Sequence, residues 1–422
     1  MPLPDKKVIY LKLEFKGASR EVGRSAVLVD DSIMLDYGLK PGEHTQYPLN
    51  GSKPDAVLVS HAHLDHAGAV PNLMDMAPEV FMTPLTFDLA AMLARDTLKI
   101  ADRKGEDAGF DSMDLSRFMQ RTNTIDPDIE FHTHGYRAQF HDAGHIPGAA
   151  SIYLEGKDSK SLFYTGDINT LDTRLVFGAG DFPDADSLII ESTYFGEDHP
   201  PRKEMENAFI DSLMDTLNIG GNVIIPAFAI GRTQEILMLL ESHGIRAYVD
   251  GMGVSAYKLM MKYPHYLRNP NQLKRAFKNA TMVSGRKRDK VPLESSVIVT
   301  TAGMLNGGPV MYYLKKIFKD PKSKILITGY QVEGTNGRMA LDNGVIENDG
   351  VIQQLGIKVE QYDFSAHCGD RELKAIVSEF CDRGTEHVFT MHGEDTESFA
   401  EWIKEEIGVD AHAPEIGEKF NV

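Results

Sequence analysis

The sequence predicts an α/β fold with more than one domain. Short apolar runs rich in β-branched residues alternate with segments of helical periodicity along almost the whole chain. Its 422 residues exceed what a single hydrophobic core usually serves. Most apolar runs end in Gly, Ser, Thr, Asp or His, and such strand ends are where α/β proteins usually place their chemistry.

The apolar runs define the predicted strands in chain order. No repeat, low-complexity tract or flexible linker separates them, so an inserted domain is favoured over two tethered ones. Residues 102–130 are polar and predict a solvated helical excursion. The predicted strands end in AVLVS (56–60), LFYTGD (162–167), LIIES (188–192), VIIPAF (223–228), RAYVDG (246–251), VIVTTAG (297–303), ILITGY (325–330), KVEQYDFSAH (358–367) and HVFTMHG (387–393).

Composition excludes several classes of protein. No apolar run is long enough to span a bilayer, and the N-terminus MPLPDKKVIYLKLEF alternates like a strand and lacks a signal-peptide core. We therefore expect a cytoplasmic protein with no membrane association. The two cysteines, Cys368 and Cys381, form no CxxC pair and cannot build a disulfide framework. Any metal must be held by histidine and carboxylate ligands.

The net charge of -18 opposes a polyanionic ligand on average, but the charge is uneven. The segment from His265 to Lys324 contains thirteen Lys and Arg residues and three acidic residues. Its formal charge is +10, which leaves a charge of -28 for the rest of the chain. A single basic run is most often a solvated face. Asymmetry on this scale within one chain nevertheless suggests a nucleic-acid surface.

The segment HAHLDH directly follows an apolar strand and carries the strongest chemical signal. His61, His63, Asp65 and His66 place four metal ligands within six residues, a density that serves no packing purpose. Zinc takes neutral imidazole and carboxylate in tetrahedral geometry, so four such groups suit two ions better than one. A second ion would need further ligands from elsewhere.

Three further ligand candidates stand beside glycines farther along the chain. They are His145 in HDAGHIPGAAS, Asp167 in YTGDIN and His392 in TMHGE. Taken singly, such an aspartate is more often a helix cap, and such a histidine is more often a hydrogen-bonded surface or core residue.

These motifs resemble those of metallo-β-lactamase-fold hydrolases, whose signature is HxHxDH. Asp36 in IMLDYG matches the strand-end aspartate that orients the ligand loop in that family. The resemblance implies a zinc ion at His61, His63 and His145, a second at Asp65, His66 and His392, and Asp167 bridging the two.

The middle of the chain resembles one branch of that family, the β-CASP nucleases. Their extra motifs correspond to Glu191 in IIESTYFG, His367 in DFSAHCGD and His392 in MHGE. The segments IPAFAIGRTQEILMLL, TTAGMLNGGPV and ITGYQVEGTNGR look like parts of the β-CASP domain. GASREVGRSAVLV and SHAHLDHAG are closer to the nuclease subunit of the cleavage and polyadenylation specificity factor than to RNase J. DNA-directed members such as Artemis typically lack the histidine at position 392, so RNA is the expected substrate.

The resemblance implies a metallo-β-lactamase αββα sandwich with an inserted α/β β-CASP domain. We divide the chain into an N-terminal part, 1–195, the β-CASP insertion, 196–345, and a C-terminal part, 346–422. The N-terminal KH domains of one archaeal group have no counterpart, and the chain ends soon after its last motif.

The implied activity is zinc-dependent hydrolysis of single-stranded RNA, leaving a 5′-phosphate and a 3′-hydroxyl. Two zinc ions lower the pKa of a water for in-line attack. His367 is assigned as the general acid and Glu191 as the carboxylate that orients it. With Asp65 and Asp167 these two form the predicted catalytic set. Endonuclease and 5′-to-3′ exonuclease modes remain open.

RNA contacts are expected from the basic segment and from glycine-rich strand ends. The expected residues are Arg286, Lys287, Arg288, Thr301, Gly303, Arg232 and Arg338.

A homodimer and membership of an RNA-processing complex are further candidate associations. Two other functions stay open. A non-nuclease hydrolase of the same fold would leave Glu191, His367 and the basic segment without a use. A non-catalytic scaffold subunit is a second alternative, but degenerate members lose metal ligands, whereas all seven are present here.

Overall fold

The structure, a computed structural model, describes residues 10–42, 44–156, 159–348 and 350–422. Residues 1–9, which form most of the predicted N-terminal strand pattern, lie outside this range. In the described part, no helix combines the length and the apolar character needed to cross a bilayer.

The first stretch of the chain carries most of two sheets. Its helices are α1 (Leu64–Ala67), α2 (Pro84–Lys104) and α3 (Ser112–Arg121). Its strands are β1 (Lys12–Gly17), β2 (Ala26–Val29), β3 (Ile33–Leu35), β4 (Ala56–Leu58), β5 (Glu79–Met82), β6 (Thr122–Thr124), β7 (Glu130–Thr133), β8 (Tyr136–Asp142), β9 (Ala150–Glu155), β10 (Ser161–Tyr164) and β11 (Ser187–Glu191).

The middle stretch alternates helices with short strands. Its helices are α4 (Arg202–Asn218), α5 (Arg232–Ser242), α6 (Gly253–Met260), α7 (Pro270–Asn279), α8 (Pro309–Ile317) and α9 (Asn336–Asn343). Its strands are β12 (Val223–Pro226), β13 (Tyr248–Asp250), β14 (Thr281–Val283), β15 (Val297–Thr300), β16 (Lys324–Ile327), β17 (Val345–Asn348), β18 (Val351–Gln354) and β19 (Lys358–Gln361).

The last stretch returns to the first two sheets. It contains α10 (Asp370–Asp382), α11 (Thr396–Trp402), β20 (His387–Met391), β21 (Asp410–His412) and β22 (Lys419–Asn421). All nine predicted strands are present. The polar excursion contains α3 as expected, but it also contains the edge strand β6, which three polar residues gave no reason to predict.

The chain forms two compact units. One holds the described residues through Leu171 together with Gly178–Asp198 and His367–Val422, and the other holds Asp172–Phe177 and His199–Ala366. The sequence-based division ends the insertion at residue 345, whereas residues 346–366 here pack within the second unit. The reason is that β19 pairs in parallel with β16, and Ile357 is buried in the core beside it.

The first unit is a sandwich of two seven-stranded sheets. Their strand orders are β22-β1-β2-β3-β4-β5-β6 and β21-β20-β11-β10-β9-β8-β7. The inner faces share one core, to which Phe15 contributes from one sheet and Phe140 and Phe389 from the other. On the outer face of the second sheet, Phe380 of α10 and Phe399 of α11 pack over Phe163. This arrangement is the expected αββα sandwich.

The second unit has one six-stranded sheet, in the order β14-β13-β15-β12-β16-β19, in which every pairing is parallel. Strands buried on both faces explain why VIIP, VIVT and KILI read as continuous apolar runs. Helix α8 covers this sheet through Tyr313 and Leu314, both fully buried. A separate hairpin joins β17 to β18.

The loop carrying Asp65 is held by close backbone contacts that only glycine permits. A methyl group at Gly38 would lie 1.7 Å from the carbonyl oxygen of Asp65 and 2.0 Å from its carbonyl carbon. Both atoms are backbone, so relief requires the loop itself to move.

Gly38→Ala is expected to lower the free energy of unfolding by about 1–3 kcal/mol, the usual cost of overpacking. Denaturation in guanidinium chloride measures the loss. Gly180→Ala is the control, since a methyl group there meets nothing within 4 Å, and it is expected to change stability by less than about 0.5 kcal/mol. Equal stabilities of the two variants would contradict the close contact at Gly38.

Candidate metal centre

The predicted ligands meet at one edge of the first unit because each follows the end of a strand. His61 and His63 come after β4, while Asp65 and His66 lie on the single turn of α1. His145 lies in the loop between β8 and β9. Asp167 follows β10 and His392 follows β20. The seven side chains form two groups that could each hold a metal ion.

The first group contains His61, His63, His145 and Asp167. Their ligand atoms all lie within 4.8 Å of one another. The Nδ1 atom of His63 is 3.2 Å from Nε2 of His145, and Nε2 of His61 is 3.4 Å from Oδ2 of Asp167. Four ligand atoms converging from three loops can surround one ion.

The second group contains Asp65, His66 and His392, again within 4.8 Å of one another. The Nε2 atoms of His66 and His392 are 3.2 Å apart, and Nε2 of His392 is 3.4 Å from Oδ2 of Asp65. The two imidazoles therefore turn the same ring atom toward one point.

Asp167 lies between the two groups. Its Oδ2 atom is 3.6 Å from Nε2 of His145 in the first group, and its Oδ1 atom is 3.1 Å from Nε2 of His66 in the second. Burial alone would raise the pKa of this carboxyl, but the neighbouring histidines His66 and His392 hold it well below its usual value. An ionised carboxylate with one oxygen toward each group can bridge two cations.

Asp36 hydrogen-bonds to one of the predicted ligands, His66. It is fully buried and accepts a 2.7 Å hydrogen bond from Nδ1 of His66, which leaves the Nε2 lone pair for a metal. Ser60 donates to Asp36 through both its backbone N–H and its hydroxyl, each at 2.7 Å, and Tyr164 donates at 2.8 Å. The Ser60 hydroxyl also accepts from Nδ1 of His61 at 3.1 Å.

The chemistry of the first group fits a zinc ion. With Nδ1 of His61 directed to Ser60, its Nε2 atom is buried and has no hydrogen-bond partner among the described residues. A buried, unpartnered ring nitrogen is costly unless a cation occupies its lone pair. Burial lowers the pKa of both His61 and His63, which keeps them in the neutral form that coordinates zinc.

The second group differs in the protonation it favours. Burial lowers the pKa of His66, but Asp167 and Asp36 outweigh burial and raise it well above its usual value. The pKa of Asp65 is lowered despite its burial, because His392 and His66 face it. Metal binding at this group would therefore displace a proton from His66.

The predicted acid pair is formed next to the first group. Glu191 is the last residue of β11, and both its carboxylate oxygens lie close to Nδ1 of His367, at 2.9 and 2.8 Å. Its Oε1 atom also accepts from the backbone N–H of Ile168 at 2.7 Å. The Nε2 atom of His367 faces Oδ2 of Asp167 at 3.8 Å, and the side chain stays 18% exposed. The imidazole is thus fixed at Nδ1 by Glu191 and turns Nε2 toward Asp167.

The arginines predicted to bind RNA lie in the second unit, and three of them already have partners there. Arg232 is 10% exposed, donates to the carbonyl of Phe364 and lies 3.6 Å from Glu235. Arg338 pairs with Asp342 at 2.7 Å on the surface of α9.

Arg288 binds both oxygens of Asp250, at 2.6 and 3.1 Å, and Tyr313 donates to the same carboxylate. This buried carboxylate needs a cation, so Arg288 is held by the fold. Arg288 thus anchors the turn Gly285–Lys290 to this carboxylate, and its contact with RNA remains a prediction.

The remaining predicted RNA contacts differ in exposure. Arg286 and Lys287 project from that turn and are exposed. Thr301 and Gly303 follow β15 and are buried, and a methyl group at Gly303 would lie 3.1 Å from the backbone nitrogen of Phe228. Their contact with RNA remains a prediction.

Sequence reasoning missed three polar residues that support the site. Ser60 and Tyr164 hold Asp36, and Thr193 contacts both Glu191 and His392. Ser60 and Thr193 stand within two residues of a predicted site residue, but hydroxyl groups are common at strand ends. Their position alone did not distinguish them from turn residues.

Three family models match consecutive parts of the chain. A beta-lactamase superfamily domain matches residues 33–219, a Beta-Casp domain matches residues 233–339, and a Zn-dependent metallo-hydrolase RNA specificity domain matches residues 354–414. The first and last of these matches contain all seven predicted metal ligands and both members of the acid pair.

Several archaeal proteins are similar over most of the chain. A probable RNase from Methanocaldococcus jannaschii is 37% identical over 98% of this chain and all of its own length. An RNase from Saccharolobus solfataricus is 35% identical over 97% of this chain and 85% of its own. The transcription termination factor FttA from Pyrococcus horikoshii is 32% identical over 97% of this chain and 71% of its own.

A crystal structure of a protein of unknown function from Enterococcus faecalis has the same fold, with a TM-score of 0.61 over 98% of this chain at 13% identity. Extended identity above 30% with whole proteins, the three domain matches and the two ligand groups agree on one family. The chain belongs to the β-CASP group of metallo-β-lactamase ribonucleases, which includes RNase J and the cleavage and polyadenylation specificity factor nuclease.

Proposed function

We propose that this protein is a two-zinc ribonuclease that hydrolyses single-stranded RNA in RNA processing or decay. The observation that carries the proposal is the pair of ligand groups sharing Asp167, with the Glu191–His367 pair beside them. The products are an RNA fragment with a 5′-phosphate and one with a 3′-hydroxyl.

The metal ligands are assigned group by group. One zinc ion is held by His61, His63 and His145, and the other by Asp65, His66 and His392, with Asp167 contributing to both. When bound, the two ions lower the pKa of a water and offset the charge of the phosphodiester. The carboxylates of Asp65 and Asp167 stay ionised because neighbouring histidines lower their pKa.

His367 serves as the proton donor to the leaving ribose oxygen. Burial lowers its pKa, but the charges of Glu191 and Asp167 outweigh burial and raise the pKa to about 9. The imidazole is therefore protonated at neutral pH. Glu191 holds Nδ1, so the proton on Nε2, the nitrogen that faces Asp167, is the one that serves in transfer.

Two observations support RNA as the substrate. Its second unit carries the basic segment 265–324. Similar proteins are named as RNases, and the segment 354–414 matches an RNA specificity domain. Lys and Arg side chains in such a run can neutralise the phosphates of a nucleic-acid backbone.

Two rival functions explain fewer features of the site. A non-nuclease hydrolase acting on a thioester or lactam would need the zinc ligands, but the Glu191–His367 pair would have no role in it. A non-catalytic scaffold would not need a complete set of seven ligands with their supporting hydrogen bonds. Self-association and assembly with other RNA-processing proteins remain predictions.

The proposal is tested by removing one ligand of the second zinc group. Asp65→Ala and His392→Ala are each expected to reduce bound zinc from two ions to one and to abolish RNA hydrolysis, with the fold retained. Elemental analysis and cleavage of end-labelled RNA measure both effects, and cleavage of a circular RNA would establish endonuclease action. Asp75→Ala, at an exposed carboxylate, is the control. Two zinc ions and full activity in either ligand variant would refute the assignment.

His367→Ala is expected to keep both zinc ions and to lower the rate of RNA hydrolysis by about 10²- to 10⁴-fold, the range for loss of a general acid. Single-turnover kinetics on zinc-loaded protein measure the rate. His132→Ala removes a histidine whose side chain is 72% exposed and should leave the rate unchanged. Unaltered turnover in His367→Ala would assign this histidine a purely structural role.

The double variant Arg286→Gln/Lys287→Gln is expected to weaken RNA binding and to make it less sensitive to salt. Each lost phosphate contact should lower the slope of log affinity against log salt by about 0.7 for single strands. Affinities measured over a salt series test this, with Lys99→Gln/Lys404→Gln as a control of equal charge on the first unit. Equal slopes in the two double variants would show that the turn is an outer, solvated face.

A further inference from the structure

The carboxylate of Glu191 has a second side-chain partner besides His367. The hydroxyl of Thr193 donates a short hydrogen bond to Oε2 of Glu191. Thr193 lies two residues beyond Glu191, just past the end of β11, and is partly buried. One carboxylate thus receives hydrogen bonds from both an imidazole and a hydroxyl.

The same hydroxyl lies against a metal ligand. Oγ1 of Thr193 is 3.2 Å from Nδ1 of His392 and 3.1 Å from the carbonyl oxygen of His392. The opposite ring atom, Nε2, faces His66 and Asp65. His392 is therefore held at one nitrogen by Thr193 and turned toward the second ligand group at the other.

The positions of the protons follow from what each group can donate. A threonine hydroxyl has one proton, and the carboxylate, which is the stronger acceptor, takes it in preference to the carbonyl oxygen. The lone pairs of Oγ1 then face Nδ1 of His392, which must be the donor. With its proton on Nδ1, His392 presents the Nε2 lone pair to the second ligand group.

We propose that Thr193 is a positioning residue: its hydroxyl fixes the tautomer of His392 for the second zinc ion and ties that ligand to Glu191. The inference rests on the proposed two-zinc function and extends it. Glu191 then orients two imidazoles at once, that of His367 directly and that of His392 through one hydroxyl. The acid pair and the second metal site share a single carboxylate.

The nearest alternative acceptor shows why this hydroxyl matters. Oδ1 of Asp167 is 3.5 Å from Nδ1 of His392. Without the Thr193 hydroxyl, Nδ1 of His392 would donate its hydrogen bond to this oxygen, which already lies 3.1 Å from Nε2 of His66. The lone pairs of the bridging carboxylate would then be divided between a proton and the metals.

The test compares two substitutions in the zinc-loaded protein. Thr193→Val keeps the shape of the side chain and removes the hydroxyl, whereas Thr193→Ser keeps the hydroxyl and removes a methyl group. Competition with a chelator measures the two zinc affinities. Thr193→Val is expected to weaken the second zinc site by about 10- to 100-fold, the usual effect of losing a partner of a metal ligand, and to leave the first site unchanged. Thr193→Ser is expected to match the native protein.

A second measurement needs no variant. In the native metal-free protein, long-range proton–nitrogen correlation of the histidine rings should show His392 protonated at Nδ1. Protonation at Nε2 would overturn the inference. So would unchanged zinc affinities in Thr193→Val, equal weakening of both sites, or the same selective loss in Thr193→Ser.

The outcomes separate this inference from the function on which it rests. If the native protein binds two zinc ions and cleaves RNA while Thr193→Val retains both affinities, the role of Thr193 is wrong and the function stands. If the native protein binds no zinc or leaves RNA intact, the proposed function itself fails.

Discussion

The metal centre depends on one buried carboxylate, that of Asp36. A charged group without exposure to water is tolerated only when it is fully hydrogen-bonded. Asp36 receives donors from the backbone and hydroxyl of Ser60, from Tyr164 and from His66. The donors come from the loop after β4, from β10 and from α1, so three elements of the sandwich are fixed around one anion. The hydrogen bonds to Asp36 therefore help to hold the ligand loop in position.

Two other carboxylates of the site, like that of Asp36, each contact more than one element. Asp167 offers one oxygen to each ligand group, and Glu191 holds both His367 and Thr193. The side-chain partners described for Asp36, Asp167 and Glu191 are imidazoles or hydroxyls, in place of lysine or arginine. Imidazoles can give up a proton in exchange for a metal, whereas a guanidinium cannot. An acidic chain can therefore assemble a cationic centre without permanent positive charge at its core.

Much of the fold and most of the site could be predicted from sequence, because both rest on local patterns. Buried parallel strands read as apolar runs, and HAHLDH is dense enough to exclude a packing role. What escaped prediction depends on contacts between distant segments. The anchoring of Arg288 requires Asp250 to be buried 38 residues away, and the role of Thr193 requires His392 to lie 199 residues along the chain. The strand β6, with the sequence TNT, gains its conformation by pairing with β5.

The sheet orders of the first unit have a consequence for synthesis of the chain. Strand β20 pairs with β11, and β22 pairs with β1, although the first two strands are separated by nearly half of the sequence and the second two by almost all of it. Until β20 and β22 have been synthesised and paired, β1 and β11 are open sheet edges of the kind that pair with other chains. His392 arrives with the same late segment. The second ligand group is thus completed by the same segment that closes the open edge of β11, so this part of the metal centre and the protection of that edge are gained together during synthesis.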